Sequence, residues 1–176
     1  ARFNMNAIPV LVNGAQGRMG QEAVKAITAE SGLELVAQTD LGDDLPAMLR
    51  NSGAQVAVDF TTATVAYNNA RTLIECGVRP VIGTSGLLPE QVAELQALCQ
   101  AKQIGGVIAP NFAIGAVLMM KYAADAVKYL PHVEVIELHH DRKADAPSGT
   151  AIKTANLLAE ARTETPALLD EKELIP

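Results

Sequence analysis

The chain has 176 residues, of which 49% are hydrophobic and 19% are charged. This composition is typical of a globular protein and excludes a disordered chain. The 14 basic and 20 acidic side chains give a net charge of −6, which disfavours nucleic acids and anionic membranes as partners. Aromatic residues make up only 3%, so a core of Val, Leu, Ile and Ala is expected, as in a parallel sheet covered by helices.

The sequence contains no recognisable targeting segment. Residues 1–6 lack a basic region followed by a long apolar one, as a secretory signal would have. The longest apolar stretch, residues 104–120, is interrupted by a Pro-Asn pair and is too short to cross a bilayer. We therefore expect the protein to be cytoplasmic, or to lie in an organelle stroma if a transit peptide has been removed. Cys76 and Cys99 are expected to be reduced, buried thiols.

The first part of the chain alternates apolar, β-branched runs with segments of helical period. The predicted strands cover residues 8–12, 33–37, 55–60, 80–82 and 106–109. The predicted helices cover residues 17–30, 46–50, 64–75 and 89–102. Five strands that alternate with helices predict a Rossmann-type, doubly wound parallel sheet, an α/β fold, over residues 1–110.

The pattern changes in residues 111–176. A long apolar helix is predicted over residues 114–129, a strand of period two over residues 132–138, and a further helix over residues 148–162. Because one strand cannot form a sheet alone, we expect this part to be the start of an α+β domain. The chain is then expected to be the truncated front part of a longer protein.

A glycine-rich turn follows the first predicted strand and opens the first helix. Its sequence is Gly14-Ala15-Gln16-Gly17-Arg18-Met19-Gly20, a G-x-x-G-x-x-G variant of the dinucleotide fingerprint. Such glycines permit a tight turn and a close approach of backbone to pyrophosphate, at a helix N-terminus that favours anions. Glycines alone are a weak signal, because any tight turn between a strand and a helix could use them.

An acidic residue strengthens the nucleotide interpretation. Asp40 lies twenty residues past Gly20, at the end of the second strand, where a carboxylate could accept hydrogen bonds from the adenosine ribose. The alternative is a solvated loop acid. Leu41 cannot bind a 2′-phosphate, which favours NADH, whereas Arg18 could pair with a phosphate and keeps NADPH possible. Arg18 could equally be an ordinary exposed arginine at a helix start.

Two further turns follow the third and fourth strands. They are Asp59-Phe60-Thr61-Thr62 and Gly83-Thr84-Ser85-Gly86. The carboxyl ends of parallel strands meet at one edge of a sheet, where ligands bind in open α/β folds. Small and hydroxyl-bearing residues there leave space for a nicotinamide ring and could hydrogen-bond its carboxamide. Each turn considered alone could be an ordinary connection.

Two adjacent histidines end the last predicted strand. His139 and His140 would point to opposite faces, so we expect different roles for them, and Lys143 follows four residues after His139. A metal site is not expected, because no third ligand stands at a standard spacing. Lys143 could hold an anion or donate a proton.

The start of the helix predicted over residues 148–162 could bind an anion. Ser148 can cap this helix, and Gly149 and Thr150 would offer backbone N–H groups to a carboxylate. The alternative is a capped helix after a polar loop, without a chemical role.

Residues 137–151, ELHHDRKADAPSGTA, resemble the signature E-x-H-H-x-x-K-x-D-A-P-S-G-T-A of the dihydrodipicolinate (4-hydroxy-tetrahydrodipicolinate) reductases of diaminopimelate and lysine biosynthesis. The glycine-rich turn and the runs VDFT, VIGT and APNF also fit, in the family's order. The resemblance extends from about Ile8 to Ala161.

The resemblance implies reduction of a cyclic, unsaturated dicarboxylate by NADH or NADPH to tetrahydrodipicolinate. It implies that His139 is catalytic, that Lys143 donates a proton, and that the substrate carboxylates are bound by His140, Gly149 and Thr150. The cofactor positions that it implies are Gly14, Ala15, Gln16, Gly17, Arg18, Met19, Asp40, Gly83, Thr84, Ser85, Ala109, Pro110, Asn111 and Phe112. Residues 111–176 then become the first part of a substrate-binding domain, through which full-length members commonly form homotetramers. The tetramer is not implied for this chain alone.

Two other functions are compatible with parts of this pattern. One is an NAD(H)-binding fragment of such a reductase that catalyses nothing. The other is a different oxidoreductase of amino-acid metabolism, such as a homoserine or aspartate-semialdehyde dehydrogenase. The paired histidines and the DAPSGTA loop argue against this last class.

Overall fold

The computed structural model describes residues 7–109, 111–139, 141 and 146–164. The chain divides into two compact units, with residues up to 110 in the first and residues from 111 onward in the second. Among the described residues, no helix has the length and apolar character needed to cross a membrane.

The first unit is built on a five-stranded parallel sheet. Its strands are β1 (Ile8–Asn13), β2 (Leu33–Thr39), β3 (Val56–Asp59), β4 (Arg79–Ile82) and β5 (Val107–Ile108). Their order in the sheet is β2-β1-β3-β4-β5, and every pairing is parallel. The order reverses between β1 and β3, which is the topological switch point of a doubly wound sheet. The predicted α/β fold is therefore confirmed.

Four helices connect these strands, and two more lie in the second unit. They are α1 (Arg18–Ala29), α2 (Leu45–Ser52), α3 (Ala63–Glu75), α4 (Pro89–Lys102), α5 (Ile114–Ala126) and α6 (Gly149–Ala161). Local sequence sets several of their ends. The Asp44 carboxylate accepts a hydrogen bond from the Ala47 amide and so caps α2, and Pro89 occupies the first position of α4.

Hydrophobic cores form on both faces of the sheet. Leu11 belongs to the core beneath α2, α3 and α4, together with Leu73 and Ile74 of α3. Its neighbours in the strand, Val10 and Val12, belong to a second core with α1. Adjacent side chains of a strand point to opposite faces, so the apolar run of β1 is buried on both sides. The two cores hold the carboxyl end of β1 in place.

The second unit pairs α5 with α6, and Met120, Val127 and Leu158 are buried in it. The strand predicted over residues 132–138 is wrong: the described residues there form no regular secondary structure. Alternation of polar and apolar side chains favours an extended chain, but a strand also needs a neighbour with which to exchange hydrogen bonds. No described segment of this unit pairs with it, and Ile136 and Leu138 are largely exposed.

The prediction of two buried thiols is wrong for Cys76 and only partly met by Cys99. Cys76 is exposed, and Cys99 is half-buried in α4. Cys76 is the C-terminal cap of α3, where the helix ends before Gly77, which has a positive φ. A residue at a helix end lies outside the buried stripe of that helix, which explains the exposure.

Candidate functional site

The glycine-rich turn packs too tightly to accept side chains at two positions. Gly14 has a φ of 79°, and a Cβ there would lie 2.7 Å from the Phe60 carbonyl oxygen. A Cβ on Gly20 would lie 2.0 Å from the carbonyl oxygen of Gly14. The amides of Gly14 and Ala15 both donate to the Thr39 carbonyl at the end of β2, at 2.8 and 3.1 Å. The turn is thus fixed against two strands and the first turn of α1.

The N-terminus of α1 faces outward from this turn. Gly17 is the cap residue, and among the described residues no side chain caps the helix there. Gln16, Gly17, Arg18 and Met19 are exposed, whereas Gly14 and Ala15 are buried. A helix start without a capping side chain offers N–H groups and the positive end of the helix dipole. The arrangement suits a diphosphate, as the glycine spacing predicts.

Asp40 lies directly beside the turn. Its Oδ2 accepts a hydrogen bond from the Gln16 amide at 2.7 Å, and its Oδ1 accepts one from the Leu41 amide at 2.8 Å. These bonds, the Leu41 one foremost, hold the pKa of Asp40 below its ordinary value of 3.8. The carboxylate is therefore ionised at neutral pH, and its remaining lone pairs can accept hydroxyl groups. Leu41 is fully exposed.

A buried carboxylate organises the same edge of the sheet. Asp59 ends β3 and is completely inaccessible to solvent. Its Oδ2 accepts hydrogen bonds from the side-chain amides of Asn13 and Asn69, at 2.8 and 3.0 Å. Its Oδ1 accepts hydrogen bonds from the Thr61 hydroxyl at 2.7 Å and from the Thr84 hydroxyl at 2.9 Å. We call these five residues the Asp59 network.

The Asp59 network connects the predicted cofactor turns. The Gly83 amide donates to the Asp59 carbonyl at 2.9 Å, so the turn that contains Gly83, Thr84 and Ser85 is held by both backbone and side chain. Ala109 continues this edge, because its amide donates to the Ile82 carbonyl at 2.9 Å. The predicted residues of the first unit that the structure describes therefore share the carboxyl edge of one sheet.

Sequence reasoning missed the role of Asn13 and Asn69 in this network. Asn13 is a buried polar residue at the end of an otherwise apolar strand, and this is a signal that the sequence does carry. Asn69 lies within α3, ten residues after Asp59, and no local pattern distinguishes it from a surface residue.

In the second unit, Asn111 joins the starts of two helices. Its Oδ1 accepts a hydrogen bond from the Ala113 amide at 2.8 Å, at the start of α5. Its Nδ2 donates to the Thr150 hydroxyl at 3.2 Å, in the first turn of α6. The Ser148 hydroxyl accepts a hydrogen bond from the Ala151 amide at 3.1 Å, which confirms the predicted cap of α6. Asn111 therefore lies against a predicted substrate residue.

Glu137 contacts both His139 and the start of α6. Its Oε1 lies 3.0 Å from His139 Nδ1, and its Oε2 accepts a hydrogen bond from the Ser148 amide at 2.7 Å. The Glu137 side chain is 18% exposed and that of His139 is 39% exposed. These contacts place His139 next to the N-terminus of α6, whose first residues are Gly149 and Thr150.

A cavity of about 460 Å³ opens between these groups. Asn111, Glu137, His139, Ser148 and Thr150 contribute polar atoms to its wall, and side chains of α5 and α6 contribute apolar ones. A concave, mostly apolar site with a few convergent polar groups is typical of a small-molecule site. A cavity of about 540 Å³ beside α4 and β5 is lined by apolar side chains and glutamines and contains none of the predicted site residues.

Three predicted site residues, Pro110, His140 and Lys143, lie outside the described residues. Phe112 is exposed and follows Asn111 in the second unit. In the part of the chain that is described, no cluster of three or more His, Cys, Asp or Glu side chains could hold a metal ion.

Comparison with known proteins identifies relatives across nearly the whole chain. Residues 8–112 match the family model described as dihydrodipicolinate reductase, N-terminus, and residues 115–173 match the model of the C-terminus of the same enzyme. The chain is 52% identical over 157 residues to a 4-hydroxy-tetrahydrodipicolinate reductase of Coxiella burnetii, covering 89% of this chain and 66% of the relative. It is 48% identical to the reductase of Listeria monocytogenes serotype 4b, covering 94% of this chain and 71% of the relative.

One solved structure belongs to the same family, and a second shares the fold. A dipicolinate-bound dihydrodipicolinate reductase from Paenisporosarcina sp. TG-14 superposes with a TM-score of 0.76 and 37% identity, covering 96% of this chain and 72% of that one. GenD2 from gentamicin A biosynthesis, solved with NAD, shares the fold alone, at 20% identity and a TM-score of 0.60 over 70% of this chain and 41% of its own. Both matching family models describe dihydrodipicolinate reductase, and not a homoserine or aspartate-semialdehyde dehydrogenase. The chain belongs to the dihydrodipicolinate reductase family.

Proposed function

We propose that this chain provides the cofactor-binding and catalytic residues for NAD(P)H-dependent reduction of 4-hydroxy-tetrahydrodipicolinate to tetrahydrodipicolinate. The chain spans about two thirds of the length of its relatives, 66% of the Coxiella burnetii reductase. The observation that carries the proposal is that Glu137 contacts both His139 and the amide at the start of α6 in the second unit, in a chain whose first unit holds a dinucleotide cradle.

The residues of the first unit fit a pyridine nucleotide. When bound, NADH or NADPH supplies a hydride. The exposed N-terminus of α1 would hold the diphosphate, and Asp40 would accept the hydroxyl groups of the adenosine ribose. Gly83, Thr84 and Ser85 would lie against the nicotinamide half. The apolar, fully exposed Leu41 offers nothing to a 2′-phosphate, and so we propose NADH as the preferred cofactor.

The second unit supplies groups for a dicarboxylate. The start of α6, with the Thr150 hydroxyl, would bind one carboxylate of the substrate. His140 and Lys143, which match substrate-binding and proton-donating residues of the family, would add positive charge. The relative from Paenisporosarcina sp. binds dipicolinate, a planar dicarboxylate of the same kind. We therefore propose that the cavity beside His139 accepts the substrate ring.

The chemistry requires a proton as well as a hydride. Loss of the ring hydroxyl as water gives a conjugated imine, and hydride addition at one carbon of that system moves the electron pair to the far end. Protonation there completes the reduction, so NAD(P)H, a proton and the hydroxylated substrate become NAD(P)⁺, water and tetrahydrodipicolinate. Lys143 would donate the proton, and His139 would hold the developing charge.

We further propose that the second unit associates with copies of itself. Residues 132–138 have the alternation of a strand but no strand partner among the described residues, and Ile136 and Leu138 are 77% and 88% exposed. Pairing between copies would satisfy the backbone and cover these side chains. Light scattering should show a mass above that of one chain, and Ile136→Lys should lower it. A monomer at all concentrations would contradict this.

The decisive experiment is consumption of NADH after substrate is generated in place, from pyruvate and aspartate semialdehyde by the preceding synthase. We expect turnover by the parent chain and its loss in His139→Gln and Lys143→Ala. His132→Gln, at an exposed histidine outside the cavity, is the matched control and should keep full activity. NADH binding without turnover in the parent chain would reduce the function to nucleotide binding and overturn the reductase proposal.

A further inference from the structure

We propose that Glu137 is a positioning residue, which holds His139 in one tautomer and fixes it relative to the start of α6. The inference rests on the proposed function, because it concerns how the candidate catalytic histidine is oriented. Two contacts carry it: Glu137 Oε1 lies 3.0 Å from His139 Nδ1, and Glu137 Oε2 lies 2.7 Å from the Ser148 amide nitrogen.

The first contact determines which ring nitrogen of His139 carries the proton. An ionised carboxylate only accepts hydrogen bonds, so Nδ1 must be the donor in the neutral imidazole. The other nitrogen, Nε2, then keeps its lone pair and is left to interact with the substrate. A carboxylate behind a histidine also stabilises the ring when it becomes charged, and it restricts rotation of the ring. Glu137 thus defines both the orientation and the chemistry of His139.

The second contact fixes the carboxylate itself. The Ser148 amide precedes the first turn of α6, where the helix dipole attracts negative charge. Glu137 is only 18% exposed, so both of its contacts are partly shielded from water and are stronger than exposed ones. One side chain therefore spans from His139 to the helix whose N-terminus would bind the substrate carboxylate. A rotation of Glu137 would displace the histidine from that helix.

A purely structural alternative is that Glu137 only stabilises the start of α6. It predicts lower stability in a variant but no change in the imidazole. The position of the ring proton therefore separates the two roles.

The test is nuclear magnetic resonance of the chain with ¹⁵N-labelled histidine rings, at a pH where imidazole is neutral. We expect His139 to carry its proton on Nδ1 in the parent chain and in the matched control Glu160→Gln, at an exposed glutamate on α6. In Glu137→Ala we expect a shift toward the Nε2–H tautomer, which predominates in free imidazole side chains. The His132→Gln and His139→Gln variants each remove one imidazole and so identify which ring signals belong to His139.

The parent spectrum alone can overturn the proposal. If His139 carries its proton on Nε2 in the parent chain, the proposal fails whether or not the alanine variant folds. An unchanged Nδ1–H tautomer in a folded Glu137→Ala chain would overturn it as well. Because these measurements need no turnover, an inactive chain would refute the proposed reductase function without affecting this test.

Kinetics supply a second readout. In the active reductase, Glu137→Gln is expected to lower kcat by about tenfold to a hundredfold, the range seen when a supporting group of a reacting residue is lost. The KM for NADH should stay unchanged, since the contacts that the described residues show for Glu137, with His139 and Ser148, lie within the second unit. Glu160→Gln should leave both constants unchanged. A Glu137→Gln enzyme with parental kcat and only reduced thermal stability would support the structural alternative and overturn positioning.

Discussion

Asn13 and Asp59 meet at the carboxyl ends of two neighbouring parallel strands, with Asn13 Nδ2 2.8 Å from Asp59 Oδ2. Both side chains are buried, and the Asn13 Oδ1 accepts a hydrogen bond from the Thr39 hydroxyl at 2.8 Å. A buried carboxylate is tolerated only where hydrogen bonds replace its lost water. Here those bonds come from the strand ends and turns that form the cofactor edge. The same contacts that stabilise Asp59 therefore hold the cradle in shape.

Replacing Asp59 with Asn should destabilise the first unit. An amide accepts on one side only, so in either orientation its NH₂ would face groups that are themselves donors, the Asn13 and Asn69 amides or the Thr61 backbone amide, and would leave buried groups unpaired. We expect a loss of about 2–3 kcal/mol in the free energy of unfolding and weaker NADH binding. Urea denaturation followed by circular dichroism, and NADH fluorescence titration, measure these effects.

Asp44→Asn is the matched control for this prediction. It removes one negative charge by the same substitution, but at an exposed helix cap where Asn is an equally good capping residue. Its free energy of unfolding should stay within about 0.5 kcal/mol of the parent value. Equal losses in the two variants would show that the charge, and not the Asp59 network, decides stability.

Sequence periodicity was sufficient to predict the sheet, because short apolar runs, such as the one in β1 that is buried on both faces, alternate with segments of helical period. The strands β1 to β5 and the helices α1 to α6 all occur within a few residues of their predicted bounds. Long-range pairing could not be predicted in this way. Asn13 and Asp59 are 46 positions apart, and no local pattern indicates that they will meet.

The candidate site likewise combines local features, which the sequence predicts, with long-range contacts, which it does not. The glycine spacing and the cap at Ser148 are local features, and both could be read directly from the sequence. The bond from Asn111 to Thr150 joins residues 39 positions apart and depends on how α5 packs against α6. The strand predicted over residues 132–138 failed for a related reason, since its alternation is local but its partner would have to come from elsewhere. Packing, not propensity, decides such features.

Gly20→Ala should disrupt the cradle. A Cβ at this position would lie 2.0 Å from the Gly14 carbonyl oxygen, so α1 or the turn must shift. We expect a cost of about 1–3 kcal/mol in unfolding free energy, with NADH affinity falling about tenfold or more. Gly32→Ala is the control, because the nearest atom to its added Cβ is the tip of the Glu30 side chain at 4.0 Å. Parental NADH affinity in Gly20→Ala would contradict a role for this close packing.

Leu41→Arg should change the choice of cofactor. Leu41 is fully exposed and follows Asp40, the predicted ribose-binding residue, so an arginine there could reach a 2′-phosphate without disturbing the core. NADPH affinity should rise about tenfold relative to NADH affinity, measured by paired fluorescence titrations. Leu41→Gln, long and polar but uncharged, should leave the ratio near the parental one. An unchanged ratio in the arginine variant would place the adenosine ribose elsewhere.

Asp40 should make the stability of the first unit depend on pH in the acidic range. The pKa of its carboxyl is held below 3.8 in the folded chain by the Leu41 and Gln16 amides, so the unfolded chain binds protons first as the pH falls. The contribution of Asp40 is therefore fully present above 3.8 and is lost as the pH decreases through its lowered folded value. Urea unfolding of the parent chain and Asp40→Asn, from neutral pH to below 3.8, measures this contribution. The parent should be the more stable at neutral pH, and the difference should shrink with acidification. A difference that stays constant or grows would mean that the two amide bonds do not favour the ionised carboxylate.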